Sequence, residues 1–136
     1  MKIKNALTIF LSLITLCCLN GCKEKGEGFV GSWDQLTSSN LPSEIKISYS
    51  DGVFHIDRNA FDKVVANEKY SQAFTDYMMG KIKIRPDRSK VDSKDSYRVT
   101  HYEATALNDN VLQSDGFSLR IENGKLKYKD EIYVKK

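Results

Sequence analysis

Apolar and polar residues alternate cleanly from Ser43 to Ser50, with Ile45, Ile47 and Tyr49 on one face and Lys46, Ser48 and Ser50 on the other. Asp51-Gly52 follows, a pair suited to the positive φ angles of a tight two-residue turn. Beyond it Phe54 and Ile56 resume one face, while Val53, His55 and Asp57 take the other. This is a β-hairpin. A second centres on Asn123-Gly124, between the alternating Phe117, Leu119 and Ile121 and the later Leu126 and Tyr128. Period two also predicts strands at Phe29 to Trp33, Lys81 to Arg85, Ser96 to Leu107, Val111 to Ser114 and Glu131 to Val134. In the longest of these, apolar parity slips from Tyr97 and Val99 to Tyr102, Ala104 and Ala106, which predicts a bulge near His101.

From Asn59 to Gly80 the period lengthens. Phe61, Val64 and Val65, then Tyr70, Ala73, Phe74, Tyr77 and Met78, recur at three- and four-residue steps. Asn59 is placed to cap a helix, with Asp62 three residues on, and Gly80 suits the position just past its end. The spacing predicts a helical insertion near residues 60–79, unbroken or interrupted near Asn67, with its Met and aromatic residues in the core. It would lie over a sheet edge or a barrel mouth. The whole order makes a mainly β antiparallel meander. About eight such strands close most economically as a small barrel, with a two-sheet sandwich as the alternative.

Ahead of this domain, Lys2 and Lys4 precede an uncharged apolar run from Leu7 to Leu19, followed by Asn20-Gly21-Cys22. A basic head, a short apolar run and a small residue at the cleavage site describe a secretory signal. The run falls short of the about 20 residues that a spanning helix needs. Leu19-Asn20-Gly21-Cys22 resembles the lipobox of bacterial lipoproteins. That resemblance implies cleavage before Cys22, diacylglycerol on the Cys22 thiol and acylation of the new amino terminus. Residues 1–21 would then be the signal peptide, 22–28 a lipidated cysteine with a flexible polar tether, and 29–136 the folded domain. Several acyl chains hold a protein stably on a membrane, whereas one alone gives marginal binding. Lys23 stands where an Asp would resemble an inner-membrane retention signal, so in a host with two membranes the expected address is the periplasmic face of the outer one.

Loss of residues 1–21 removes Cys17 and Cys18 and leaves Cys22 alone, which excludes an intramolecular disulfide and a CxxC site. It also removes Lys2 and Lys4, so the formal charge of +3 falls to +1. Near neutrality argues against nucleic acid as a partner.

Gly31-Ser32-Trp33 resembles the Gly-x-Trp of lipocalins and other calycin-type barrels. The resemblance implies a Trp that plugs the closed end of the barrel beneath an Arg from a late strand. Arg120 is the first candidate for that Arg and Arg98 the second. A lipocalin's helix follows its barrel, whereas this one falls between the third and fourth strands. The layout is more similar to that of the small lipocalin-like lipoproteins of bacteria.

Little points to catalysis. No nucleophile-elbow serine, glycine-rich phosphate loop or HExxH motif occurs, and the carboxylates are scattered. No enzyme activity, cofactor or metal is expected. His55 and His101 are the only histidines. On neighbouring strands, with Asp57 or Glu103, they have the ligand types of a metal site, but the reading adopted is two unrelated surface imidazoles. Lys81, Lys83, Arg85, Arg88 and Lys90 form the densest basic run, read as a solvated face with Asp87 and Asp92 mixed in. Tyr97, Tyr102, Tyr128 and Tyr133 are strand residues that could line a binding mouth.

The expected function is a lipid-anchored, non-enzymatic module that holds a small apolar ligand or a lipid. The alternative is an envelope protein–protein interaction module, such as an inhibitor of a lytic enzyme or an immunity-type lipoprotein. A structural or stress-related lipoprotein is the third. A core filled solidly by Phe54, Phe117, Leu119, Tyr128 and their neighbours would count against the first.

Overall fold

The computed structural model describes residues 24–136. Eight antiparallel strands close as an up-and-down barrel in sequence order. They are β1 (Gly31–Gln35), β2 (Glu44–Ser50), β3 (Val53–Phe61), β4 (Tyr97–Asn108), β5 (Val111–Ser114), β6 (Phe117–Glu122), β7 (Lys125–Tyr128) and β8 (Glu131–Lys135). Pairing of β1 with β8, Trp33 opposite Lys135 and Gln35 opposite Tyr133, makes the closure. A closed barrel leaves no unpaired edge. The helix α1 (Lys63–Met78) and the short α2 (Arg88–Val91) are inserted between β3 and β4. This is the small lipocalin-like barrel with a helical insertion that the meander predicts.

Local chemistry explains the hairpins. Asp51 and Asn123 adopt φ of 53° and 51°, and each is followed by a glycine that takes the second positive φ of the turn. Lys129 holds the same region at 53° in the β7–β8 turn. Register then follows parity: Ile47 pairs with Ile56, Leu112 with Leu119, and Leu126 with Tyr133, which puts these six inside, while Ile132 and Val134 on either side of Tyr133 face outward.

The interior is filled by these side chains. Trp33, Ile45, Ile47, Phe54, Ile56, Leu112, Leu119, Leu126 and Tyr133 are all buried in one cluster, and Tyr102, Phe117 and Ile121 pack against it. The chain itself closes one end. A 3-10 turn at Glu27–Phe29 drives Phe29 to full burial, and the Trp33 indole Nε1 donates to the Phe29 carbonyl at 2.8 Å. Gly26 makes this entry possible. Its φ is +81°, and a Cβ there would sit 3.0 Å from Phe54 Cζ and 3.1 Å from both Ala106 Cβ and Leu112 Cδ2. Residues 24–28, expected within a flexible tether, are therefore docked from Gly26 onward, and the first strand begins at Gly31 rather than Phe29. Cys22 and residues 1–21, the expected lipidation site and signal peptide, lie outside the described residues.

Three local expectations are corrected. The helix is capped by Asp62, whose carboxylate accepts from the amides of Val64 at 2.8 Å and Val65 at 3.3 Å. Asn59 instead lies in β3 opposite Val99, because β3–β4 pairing continues to Phe61 and Tyr97. The helix is unbroken at Asn67, but of its residues only Ala66 is buried, so its stripe joins no barrel core. Tyr70, Phe74 and Tyr77 neighbour one another along α1, and the returning chain covers two of them, with Arg88 5.3 Å above Tyr70 and Arg85 6.0 Å above Phe74.

Lys81 to Arg85 forms no strand, and Ile84 is 82% exposed. Alternation needs a partner edge, and β3 and β4 already pair with each other. The bulge is also displaced. Asp57 faces His101 in unbroken register, and the irregularity falls between Ala106 and Asn108. Parity slips earlier because Phe61 and Tyr97, paired on the outer face, pack edge to face on one another.

Candidate functional site

The end of the barrel opposite the Phe29 plug carries charge inside. On β3 the inward positions run Phe54, Ile56 and then Arg58, which lies about 13 Å from Phe54 at 3.3 Å per residue. Arg58 Nη2 donates to both carboxylate oxygens of Glu131, at 3.0 and 2.9 Å. The Tyr133 hydroxyl donates to Glu131 Oε2 at 2.6 Å and lies 2.6 Å from Ser43 Oγ, which in turn donates to Gln35 Oε1 at 2.9 Å. The guanidinium also sits 5.2 Å from the Tyr128 ring centre. Strands β1, β3 and β8 and the β1–β2 loop are thus tied across the mouth by one polar chain.

Its electrostatics follow from the packing. Burial works against the Arg58 charge, but hydrogen bonds to Tyr133 and Glu131 outweigh it and hold the guanidinium above its ordinary pKa. Burial, reinforced by the hydrogen bond to Glu131, pushes the Tyr133 phenol up to about 12. Burial and the neighbouring Tyr128 hydroxyl raise Tyr102. Arg58 is thereby held charged, and Tyr133 and Tyr102 neutral, at neutral pH. Beside them a concavity of about 400 Å³ is lined by Arg58, Tyr128, Lys129, Asp130 and Glu131.

A second feature projects from the same end. The C-terminal turn of α1 and the segment after it expose Met78 (69%), Met79, Ile82 and Ile84. Lys81, Lys83 and Arg85 alternate among them, and among the described residues only Lys81 has a carboxylate partner, Asp76 at 3.2 Å. The basic run expected as a strand face is therefore a mixed apolar and cationic tip. Arg88 and Lys90 belong to α2 instead, and Arg88 pairs with Asp92.

The remaining sequence candidates fall as follows. Gly31 takes φ +134° at the start of β1, and Trp33 is buried within the plug. The cation over Trp33 is Lys135, 5.3 Å above the ring, with its ammonium donating to the Gly28 carbonyl at 3.1 Å. Arg120 is exposed on β6 opposite Lys127, because Leu119 and Ile121 own the inward parity, and Arg98 pairs with Asp62 at 3.2 Å. Tyr128 and Tyr133 do line the mouth, while the Tyr97 hydroxyl donates to the Pro42 carbonyl at 2.8 Å on the outside. His55, Asp57, His101 and Glu103 share one outer face of β3 and β4. Arg58 and Glu131 were missed. The signal was present, since Arg58 continues the inward series of Phe54 and Ile56.

No family model matches the chain, and no curated protein or solved structure matches it either.

Proposed function

We propose that this protein is a lipid-anchored envelope lipoprotein whose barrel is a rigid scaffold for binding another protein, not a container for a ligand. The observation that carries the reading is the filled interior. Trp33, Phe54, Leu119 and Tyr133 occupy the space a ligand would need, Phe29 seals one end, and the Arg58–Glu131 pair spans the other. Eight-stranded barrels are narrow enough for side chains alone to fill. An apolar ligand would have to displace an ion pair in which one guanidinium nitrogen holds both carboxylate oxygens.

Acyl chains on Cys22 would set the plugged end toward the membrane, since only Lys23 separates that residue from the described chain. The mouth and the helical appendage then face away from it. The partner that fits the appendage has an apolar pocket for Met78 and Ile84, rimmed by carboxylates for Lys83 and Arg85. Replacing these residues tests the proposal, because exposed side chains contribute within about 0.5 kcal/mol to stability. Met78→Ser with Ile84→Ser should abolish capture of an envelope protein by the full chain and leave the fold unchanged. Undiminished capture would overturn the reading.

A further inference from the structure

The outer face of β3 and β4 brings together residues that the sequence leaves 44 positions or more apart. Register sets His55 directly opposite Glu103 and Asp57 directly opposite His101, so two imidazoles and two carboxylates form the corners of one square. All four point outward because Phe54, Ile56, Tyr102 and Ala104 hold the inward parity. They line a single depression on the barrel wall together with Tyr102.

The two rows are not equivalent. Asp57 Oδ1 accepts from His101 Nδ1 at 2.6 Å, which fixes the Nδ1–H tautomer of the neutral ring and leaves Nε2 with a free lone pair. A carboxylate behind Nδ1 is the arrangement that orients metal-binding histidines and raises their basicity. In the other row His55 Nδ1 and Glu103 Oε1 are 3.8 Å apart, too far for a hydrogen bond, so both have donor electrons to spare. The square holds two carboxylates against one facing cation, since of the flanking residues on β2 Lys46 faces Asp57 and Ser48 faces His55. The square therefore favours a cation.

We propose that His55, His101 and Glu103 form a surface site for a divalent transition ion of the zinc class, with Asp57 as the positioning residue behind His101. Two imidazoles and one carboxylate suit such an ion, whereas calcium and magnesium prefer oxygen ligands throughout. Among the described residues no three of these donors converge on one point as the side chains stand. Closure needs only rotation. His101 and Glu103 are 75% and 72% exposed, His55 is 37% exposed, and diagonal neighbours across antiparallel strands lie about 7–8 Å apart, within reach of long side chains. Water would complete the tetrahedron.

Calorimetric titration of the full chain with zinc chloride tests this, in a background where Cys17, Cys18 and Cys22 are serine so that no thiolate competes. One ion per chain is expected. His55→Ala and His101→Ala should each weaken binding at least tenfold, and Asp57→Asn by roughly tenfold, the usual weight of an outer carboxylate. Asp57→Asn should also shift the His101 ring nitrogen resonances toward the other tautomer, a change that a purely structural role would not produce. Fluorescence of the single Trp33 checks that each variant is folded. Absence of saturable zinc uptake, or an affinity unchanged in both histidine variants, would overturn the assignment.

Discussion

Arg58 and Glu131 meet inside the barrel mouth, the guanidinium Nη2 lying 3.0 and 2.9 Å from the two oxygens of the carboxylate. The residues are 73 positions apart, on strands that are not neighbours, so the pair bridges the lumen rather than a ladder. Their side chains are 23% and 31% exposed. Removing one partner leaves the other charge in a poor solvent, while removing both does not. Arg58→Met and Glu131→Met should each lower stability by about 1–3 kcal/mol, and the double variant by less than their sum. Urea unfolding of the four proteins gives the coupling, and strictly additive losses would show that the pair is independent.

Tyr133 gives the mouth a pH signature. Its folded pKa, pushed up to about 12, exceeds the ordinary phenol value of 10, so the neutral form is favoured in the fold. The stability this confers is complete below about pH 10 and is lost as pH rises toward 12, because only the unfolded chain has released its proton in that window. Tyr133→Phe should flatten this alkaline loss relative to the parent chain. Thermal unfolding measured from pH 9 to pH 12, in steps of about one unit, checks the difference. Parallel curves would mean that the phenol is not buried against Glu131.

The plugged end rests on Gly26. A side chain there meets both a left-handed φ and three core atoms within 3.1 Å, whereas Gly52, at a similar φ of +81°, has open space around it. Gly26→Ala should cost about 2–4 kcal/mol, the sum of a left-handed penalty and overpacking. Gly52→Ala should cost only the first part, about 1–2 kcal/mol. Equal losses would mean that residues 24–28 do not dock.

The helical appendage should be removable. Phe61 and Tyr97 are directly paired where the chain leaves and re-enters the barrel, and Ala66 is the one buried residue of α1. Replacing residues 62–96 by Asn-Gly supplies a tight turn at that point. The shortened chain should keep cooperative unfolding and the buried-indole emission of Trp33, while partner capture disappears. Loss of cooperative unfolding would place the insertion within the barrel's core.

The hairpins and the closed barrel were legible because turn chemistry and period two are local. Asp51-Gly52 and Asn123-Gly124 specify their registers, and those registers carry the parity of whole strands. Lys81 to Arg85 shows the limit of that signal, since alternation exists there without an edge to pair with. The helix stripe misled in the same way: Tyr70 and Phe74 are covered by Arg88 and Arg85 of the returning chain, which periodicity does not register. Contacts across the barrel were the least legible. Lys135 rather than Arg120 covers Trp33 because β8 pairs with β1, and closure sets that neighbour. The Arg58–Glu131 pair rests on the same closure, whereas the His55–Glu103 row follows from the β3–β4 register.

The most direct measurement is native mass spectrometry of the full chain released gently from its host's envelope. The expected spectrum shows the protein without a stoichiometric small molecule, together with a complex that contains a second protein. A one-to-one adduct of an apolar molecule or lipid, distinct from the proposed acyl chains on Cys22, would contradict the scaffold reading and make the barrel a container.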